Sequence, residues 1–348
     1  MPIPRPRLLR SATGLALCAA AVAGCGKEPQ PVAPRPTARV GLTLCAQPEG
    51  VFTLRVADLE GVSGDTWLEN HYPRIGQKLT PANIGTDKVK DISLEGQQIT
   101  VRTLVEDAAD CEQQAERIEQ LLSGLYEETE LVSATTGEMT SSDLDEVKQV
   151  LEARAQAAGL SDLSVQPRPP DFLSVEFGCA GDPEWAKELL TQKGLLQFRM
   201  IPRRYAYELT AVGEILWRDD TGTAVDVSDV VAESPVIVSG RDFAPTSRVE
   251  TTPDQYTCVT FSLRDEAREA FQVFTGDHVD TYLGMVFDGG LISCPIIRSA
   301  IPGEGVILAD FDGPGGRDRA EKLAILINSG PLALDLECVE STTEQLPP

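Results

Sequence analysis

The stretch from Asp310 to Glu321 places carboxylates at loop positions 1, 3, 9 and 12 (Asp310, Asp312, Asp318, Glu321) with Gly315 at position 6. That is the spacing with which an EF-hand wraps calcium. Pro314 at position 5 has no side-chain oxygen, Arg317 stands at position 8 where an apolar residue belongs, and a strand pattern precedes the loop. The segment therefore reads as a solvated loop and helix start. His278, in Gly276-Asp277-His278-Val279-Asp280, has no second histidine near it, and a surface turn is expected there. His71 lies in Asn70-His71-Tyr72, and with two histidines in all the chain leaves little room for imidazole catalysis. No Gly-x-Ser-x-Gly elbow and no phosphate loop occurs. The residues assemble no nucleophile, base and oxyanion hole, so neither a catalytic residue, a cofactor nor a metal is expected.

Cysteine carries the remaining chemistry. Arg5, Arg7 and Arg10 precede a short apolar run, Ala12 to Ala23. The run is too short for a bilayer core of roughly 30 Å and has the shape of a secretory signal peptide. Val22-Ala23-Gly24-Cys25 resembles the lipobox of bacterial lipoproteins. That resemblance implies a lipid on Cys25, a signal over residues 1–24, and membrane lipid as a partner in the cell envelope, facing the periplasm or the outside. Pro29, Pro31, Pro34 and Pro36 make residues 25–38 a stiff tether of roughly 3 Å per residue. The 30 basic and 54 acidic residues give a net charge of −24, which repels nucleic acid and anionic lipid surfaces alike.

The 348 residues suit two or three domains, and 42% hydrophobic with 24% charged residues is globular composition. Strands are expected over Val40–Leu44 and Val51–Val56, a loop over Trp67–Thr86, and a hairpin through Glu95-Gly96-Gln97. Cys111, Ala115, Ile118 and Leu122 fall on one helical stripe, as do Leu144, Val147, Leu151 and Ala155. Glu130–Ala134, that second helix, Leu163–Gln166, Phe172–Phe177, a helix capped by Asp182 with Pro183 first, and Leu195–Ile201 together make a split βαβ, ferredoxin-like unit. Beyond Tyr205 come further strands, helices over Asp265–Thr275 and Arg317–Asn328, a hairpin across Asp288-Gly289-Gly290, and a last strand over Leu332–Val339.

Several runs resemble the first periplasmic domain of SecD, the membrane subunit that assists Sec-dependent protein export. They are Val150-Leu151-Glu152-Ala153-Arg154, Leu195-Leu196-Gln197-Phe198-Arg199, Val259-Thr260-Phe261-Ser262-Leu263, Leu283 to Gly289 and Leu291 to Arg298. Ala309 departs from the glycine usual there, and the family's membrane helices are missing from this sequence. The resemblance covers roughly Leu144 to Glu340. It implies an α+β protein with a ferredoxin-like base (131–205), an inserted α+β head (206–330) and a returning strand and tail (331–348); the strand and helix patterns ahead of it make an N-terminal α+β region (39–130). It further implies non-enzymatic binding of unfolded exported polypeptide, or association with Sec translocon components, with an envelope scaffold as the competing reading. A swinging head places hinges at Pro202-Arg203-Arg204 and Ser329-Gly330-Pro331. An exported chain with six further cysteines also admits disulfides. Side-chain parity and the sheet that the resemblance implies pair Cys179 with Cys338, a bond that would replace a lost membrane anchor. Cys258 would pair with Cys294, although Cys258 falls on the Thr260 and Ser262 face, and Cys45 with Cys111 by elimination; buried free thiols at Cys179 and Cys338 are the competing reading among the 15 connectivities that six cysteines allow.

Overall fold

The computed structural model describes residues 35–47, 49–79, 89–105, 108–137, 141–168, 172–209 and 215–346. The expected signal peptide over residues 1–24, Cys25 and most of the proline-rich segment lie outside the described residues. Strand β1 (Ala38–Gln47) buries every second side chain, Ala38, Val40, Leu42, Leu44 and Ala46, as a strand with one covered face must. One residue later β2 (Glu49–Val56) buries Phe52, Leu54 and Val56 in a different core. A helical turn (Gly64–Thr66) and a π turn (Trp67–His71) lead into α1 (Tyr72–Lys78). The segment from Trp67 was expected as a loop; the π turn and Pro73 break the 3.6-residue period that would have announced a helix. Strands β3 (Val89–Glu95) and β4 (Gln98–Leu104) form the hairpin, with Gly96 at φ +62° in its turn. Helix α2 (Ala108–Ser123) and β5 (Thr129–Gly137) follow.

These pieces, β-α-β-β-α-β, make an antiparallel sheet in the order β3-β4-β2-β5. The expected assignment of Glu130–Ala134 to the base is thus corrected. Its strand β5 pairs with β2, because Phe52 and Leu54 lie opposite Ala134 and Leu131 and share one core with the α2 stripe.

The base sheet is built from distant parts of the chain. Helix α3 (Ser141–Ala157), β6 (Ser161–Arg168), β7 (Phe172–Cys179) and α4 (Pro183–Thr191) join β1 and β18 (Asp335–Gln345) in the order β18-β1-β7-β6. Its first and last strands are therefore β1 and β18, rather than residues near 130 and 195–201. Asp182 caps α4 by accepting from Glu184 N–H at 3.0 Å, with Pro183 in the first turn. Both sheets are antiparallel throughout and share one ferredoxin-like strand order. The first, over 49–137, is inserted into the second between β1 and α3.

The head is the other insertion, between α4 and β18. Strand β8 (Leu196–Met200) leads a small sheet of β9 (Ala206–Leu209), β10 (Ile215–Arg218) and β11 (Ala224–Val225), then α5 (Val227–Ala232) and β12 (Val236–Val238). Strands β13 (Val249–Thr251) and β14 (Thr257–Ser262), helix α6 (Asp265–Asp277), the hairpin β15 (Leu283–Phe287) and β16 (Gly290–Ser293), β17 (Glu304–Ile307) and α7 (Gly316–Ser329) complete it. Its core gathers Phe198, Phe243, Phe261 and Phe271, with the Phe198 ring edge-on to Phe243 and Phe261 at 5.1 and 4.9 Å.

Candidate functional site

Where the head leaves and re-enters the base, one buried side chain gathers a cluster of hydrogen bonds. Arg154 on α3 is fully buried, 0% exposed. Its Nη1 donates to the carbonyls of Leu189 (3.1 Å), Leu190 (3.4 Å) and Gln192. Its Nη2 donates to the carbonyls of Lys193 (3.0 Å) and Gly330 (3.2 Å), and its Nε to Ser329 Oγ (3.3 Å). One guanidinium thus satisfies the frayed end of α4, the chain entering the head and the chain leaving it. Five fixed donors suit this task, where a lysine ammonium would not reach both segments. Burial draws the Arg154 pKa down to about 10, with the Asp288 charge acting against that shift, so it is cationic at neutral pH.

The two crossing segments also bind each other, Leu332 N–H donating to the Lys193 carbonyl at 2.9 Å. Asp288, in the β15–β16 turn at φ +46°, accepts from Leu195 N–H (2.7 Å) and Gly194 N–H (3.2 Å). Lys193 Nζ lies 3.0 Å from Asp335 of β18 and 4.0 Å from Glu49 of β2, so all three units meet at one ammonium. The head enters at residues 192–195, before β8. Pro202 and Arg203, expected at the entry, lie instead inside the head beyond β8, because β8 pairs with β15 and β12 rather than with the base. Gly330 and Pro331 do lie at the exit.

Beside this junction runs a groove of about 340 Å³ between Glu146 and Val150 of the base, Arg241 and Phe243 of the head, and Asn328 to Pro331. Arg264 joins it to a second groove of about 440 Å³ over the start of α6. Arg241 bridges the first groove to Glu146 at 2.7 Å, and Lys322 pairs with Glu188 across the same boundary. The first groove sets Arg241 and Arg264 against Glu146 beside Val150 and Phe243, and the second sets Arg264 and Arg268 beside Asp265 and Glu266.

Among the described residues the six cysteines form no disulfide, and the strand register separates Cys179 from Cys338, correcting the first expected pair. Cys179 lies opposite Ala38 and Cys338 opposite Leu44, on strands flanking β1. They are roughly 10 Å apart across the sheet and 20 Å along it, whereas a disulfide needs Cα atoms within about 7 Å. Cys45 is in the base sheet while Cys111 is in the core of the 49–137 unit. Cys258 donates to the Glu250 carbonyl at 3.5 Å, and Cys294 packs beside Trp217 and Tyr282. Burial pushes the Cys294 thiol up to about 12.

The remaining sequence candidates have structural partners. Arg319 fills the acidic loop, donating to the carbonyls of Asp310 and Pro314 and to the Asp310 carboxylate. His278 is buried rather than in a surface turn; its Nδ1 bonds the Phe274 carbonyl at 2.8 Å at the end of α6. His71 stacks beside Tyr126, its Nδ1 3.1 Å from the phenol oxygen. Arg154 was not singled out, though its place is legible: it stands three residues after Leu151 and seven after Val147, on the buried stripe.

Residues 214–334 match the family model SecDF, P1 head subdomain. The SecD translocase subunit of Desulfurispirillum indicum is 28% identical over 223 residues, covering 59% of this chain and 42% of that protein. SecD of Dictyoglomus turgidum is 27% identical over 207 residues, covering 59% and 43%. Among solved structures, SecDF in its super-membrane-facing form aligns with a TM-score of 0.48 at 22% identity, covering 59% of this chain and 28% of that one. The chain thus carries a region distantly homologous to the SecD P1 head and base, and it spans less than half the length of these curated relatives. Among the described residues no helix is long and apolar enough to cross a membrane.

Proposed function

We propose that this chain is a non-enzymatic, extracytoplasmic module that binds exported polypeptide beside the Sec machinery, held at the envelope membrane through a lipid on Cys25. The match of residues 214–334 to the SecDF P1 head subdomain carries this reading. SecD is a protein translocase subunit in the relatives, and the translocon and its preproteins are therefore the partners proposed here. The groove between head and base supports it physically: a mixed lining of Val150, Phe243 and Ile327 with Arg241, Arg264 and Asn328 offers both apolar contact and hydrogen-bonding groups to an extended chain. The acidic surface leaves nucleic acid out.

The test is a photo-crosslinking amino acid at Arg241 or Arg264 in the full-length chain, followed in cells during export. Adducts to preproteins or translocon subunits support the proposal. Adducts confined to folded envelope proteins replace it with a scaffold reading. Metabolic lipid labelling, lost in Cys25→Ser, tests the anchor separately.

A further inference from the structure

We propose that the ferredoxin-like unit over 49–137 is a brace that fixes the head relative to the base. It is joined to the base through β1–β2 and touches the head at a second, separate point. Helix α1 carries Gly76 in its interior, where glycine costs about 1 kcal/mol relative to alanine. The reason is a close approach: a Cβ at Gly76 would lie 2.5 Å from the Ala232 carbonyl oxygen and 3.0 Å from Glu233 Cα, at the end of α5 in the head. No L side chain fits that gap, so backbone sits on backbone.

The head side of this contact is built to be stiff. Arg199 of β8, 8% exposed, donates through Nη1 to the carbonyls of Val231 and Ser234, both at 3.1 Å. Gln197 holds the same guanidinium at 2.7 Å. Glu233, 3% exposed, accepts from Tyr205 Oη at 2.6 Å and pairs with Arg204. The 231–234 turn is thereby tied to β8, the first strand after the head's entry. The brace side is stiff as well, since Trp67 and Tyr72 meet edge-on at 6.1 Å immediately ahead of Gly76. A second touch point lies nearby, with the Glu69 carboxylate 3.8 Å from His278 Nε2 at the end of α6.

A unit attached to both partners of a hinge blocks relative rotation until one contact opens. The head therefore keeps one orientation while Gly76 is seated, and swings only when α1 leaves α5. This inference rests on the placement of the three units and holds whether or not the chain handles exported polypeptide.

The experiment uses the full chain with spin-labelled unnatural amino acids at Val273 of the head and Glu152 of the base, read by pulsed electron–electron distance measurement. The wild type gives one narrow distribution. Gly76→Leu, and independently Ala232→Arg from the head side, widen it at least roughly twofold as the second state becomes populated. In a background retaining only Trp67 of the three tryptophans, its fluorescence identifies the variants in which the 49–137 unit remains folded. A broad wild-type distribution overturns the brace, and so does a narrow one that persists in both folded variants.

Discussion

Arg154 of the base helix and Gly330 at the exit from the head are joined by a 3.2 Å hydrogen bond from a guanidinium with no exposed surface. The same side chain reaches Lys193 at the entry. Truncation in Arg154→Ala removes the guanidinium donor from the carbonyls of Leu189, Leu190, Gln192 and Gly330 and leaves Lys193 with Leu332 N–H alone, at a cost of roughly 3 kcal/mol. Urea titration followed through Trp185, which packs on the base core, is expected to show this loss. An unchanged midpoint would mean that water replaces the donors.

The neighbouring Arg241–Glu146 bridge spans the same boundary with side chains 75% and 42% exposed. Exposed pairs contribute about 0–1 kcal/mol. Arg241→Ala is expected to leave the Trp185 transition within about 0.5 kcal/mol of wild type. The contrast with Arg154→Ala separates a junction held by buried donors from one held by surface charge.

His71 is held below its ordinary pKa of 6.5, first by desolvation and then by the Arg74 charge. Its folded pKa is depressed, so the unfolded chain takes up the proton first as pH falls. The stabilisation is complete above pH 6.5 and is lost as pH drops through the lower folded value. A variant retaining only Trp67, stacked 6.4 Å from His71, should show a urea midpoint that falls between pH 7 and pH 5. His71→Gln should flatten that dependence.

Gly316 begins α7, and a Cβ there would stand 2.0 Å from the Phe311 carbonyl oxygen. Backbone cannot rotate away as a side chain can. Gly316→Ala is expected to destabilise the head by about 3 kcal/mol or more, read through Trp217, which is buried in the head. Gly313→Ala makes the control, with its nearest neighbours 3.6 Å or more away.

Alkylation of the native protein at pH 8 should leave Cys294 unmodified for longest, since its thiol is pushed to about 12 and the thiolate is the nucleophile. Peptide mapping without reductant should recover Cys179 and Cys338 as separate free thiols. A linked Cys179–Cys338 peptide would require a different base sheet.

Local pattern was legible in the sequence, while partnership was not. The Leu144–Val147–Leu151 stripe and the alternation of Leu173, Val175 and Phe177 announced α3 and β7, because each period is set within a few residues. The strands at 129–137 and 196–200 are recognisable as strands, but their sequence does not say that they pair with β2 and with β15 and β12. Alternation specifies a covered face, not what covers it. One of the two partners of β1 is nearly the whole chain away, Ala38 lying opposite Gln345. The 49–137 unit escaped for a related reason: its first helix is interrupted by the π turn at Trp67–His71, which erased the βαββαβ rhythm. At the junction, Arg154 looked like any surface arginine by type and like a core residue by position. A positional reading alone would have found it.

The pairing of β1 with β18 also fixes the order in which the molecule can be assembled. The first described strand to be synthesised cannot complete its sheet until the last is available, so the base has by far the longest loop to close. The two inserted units have no such delay, because their strands pair within their own segments. Folding should therefore run from the insertions inward, with the base as the slowest and latest step, and until then β1 presents an unpaired edge open to aggregation.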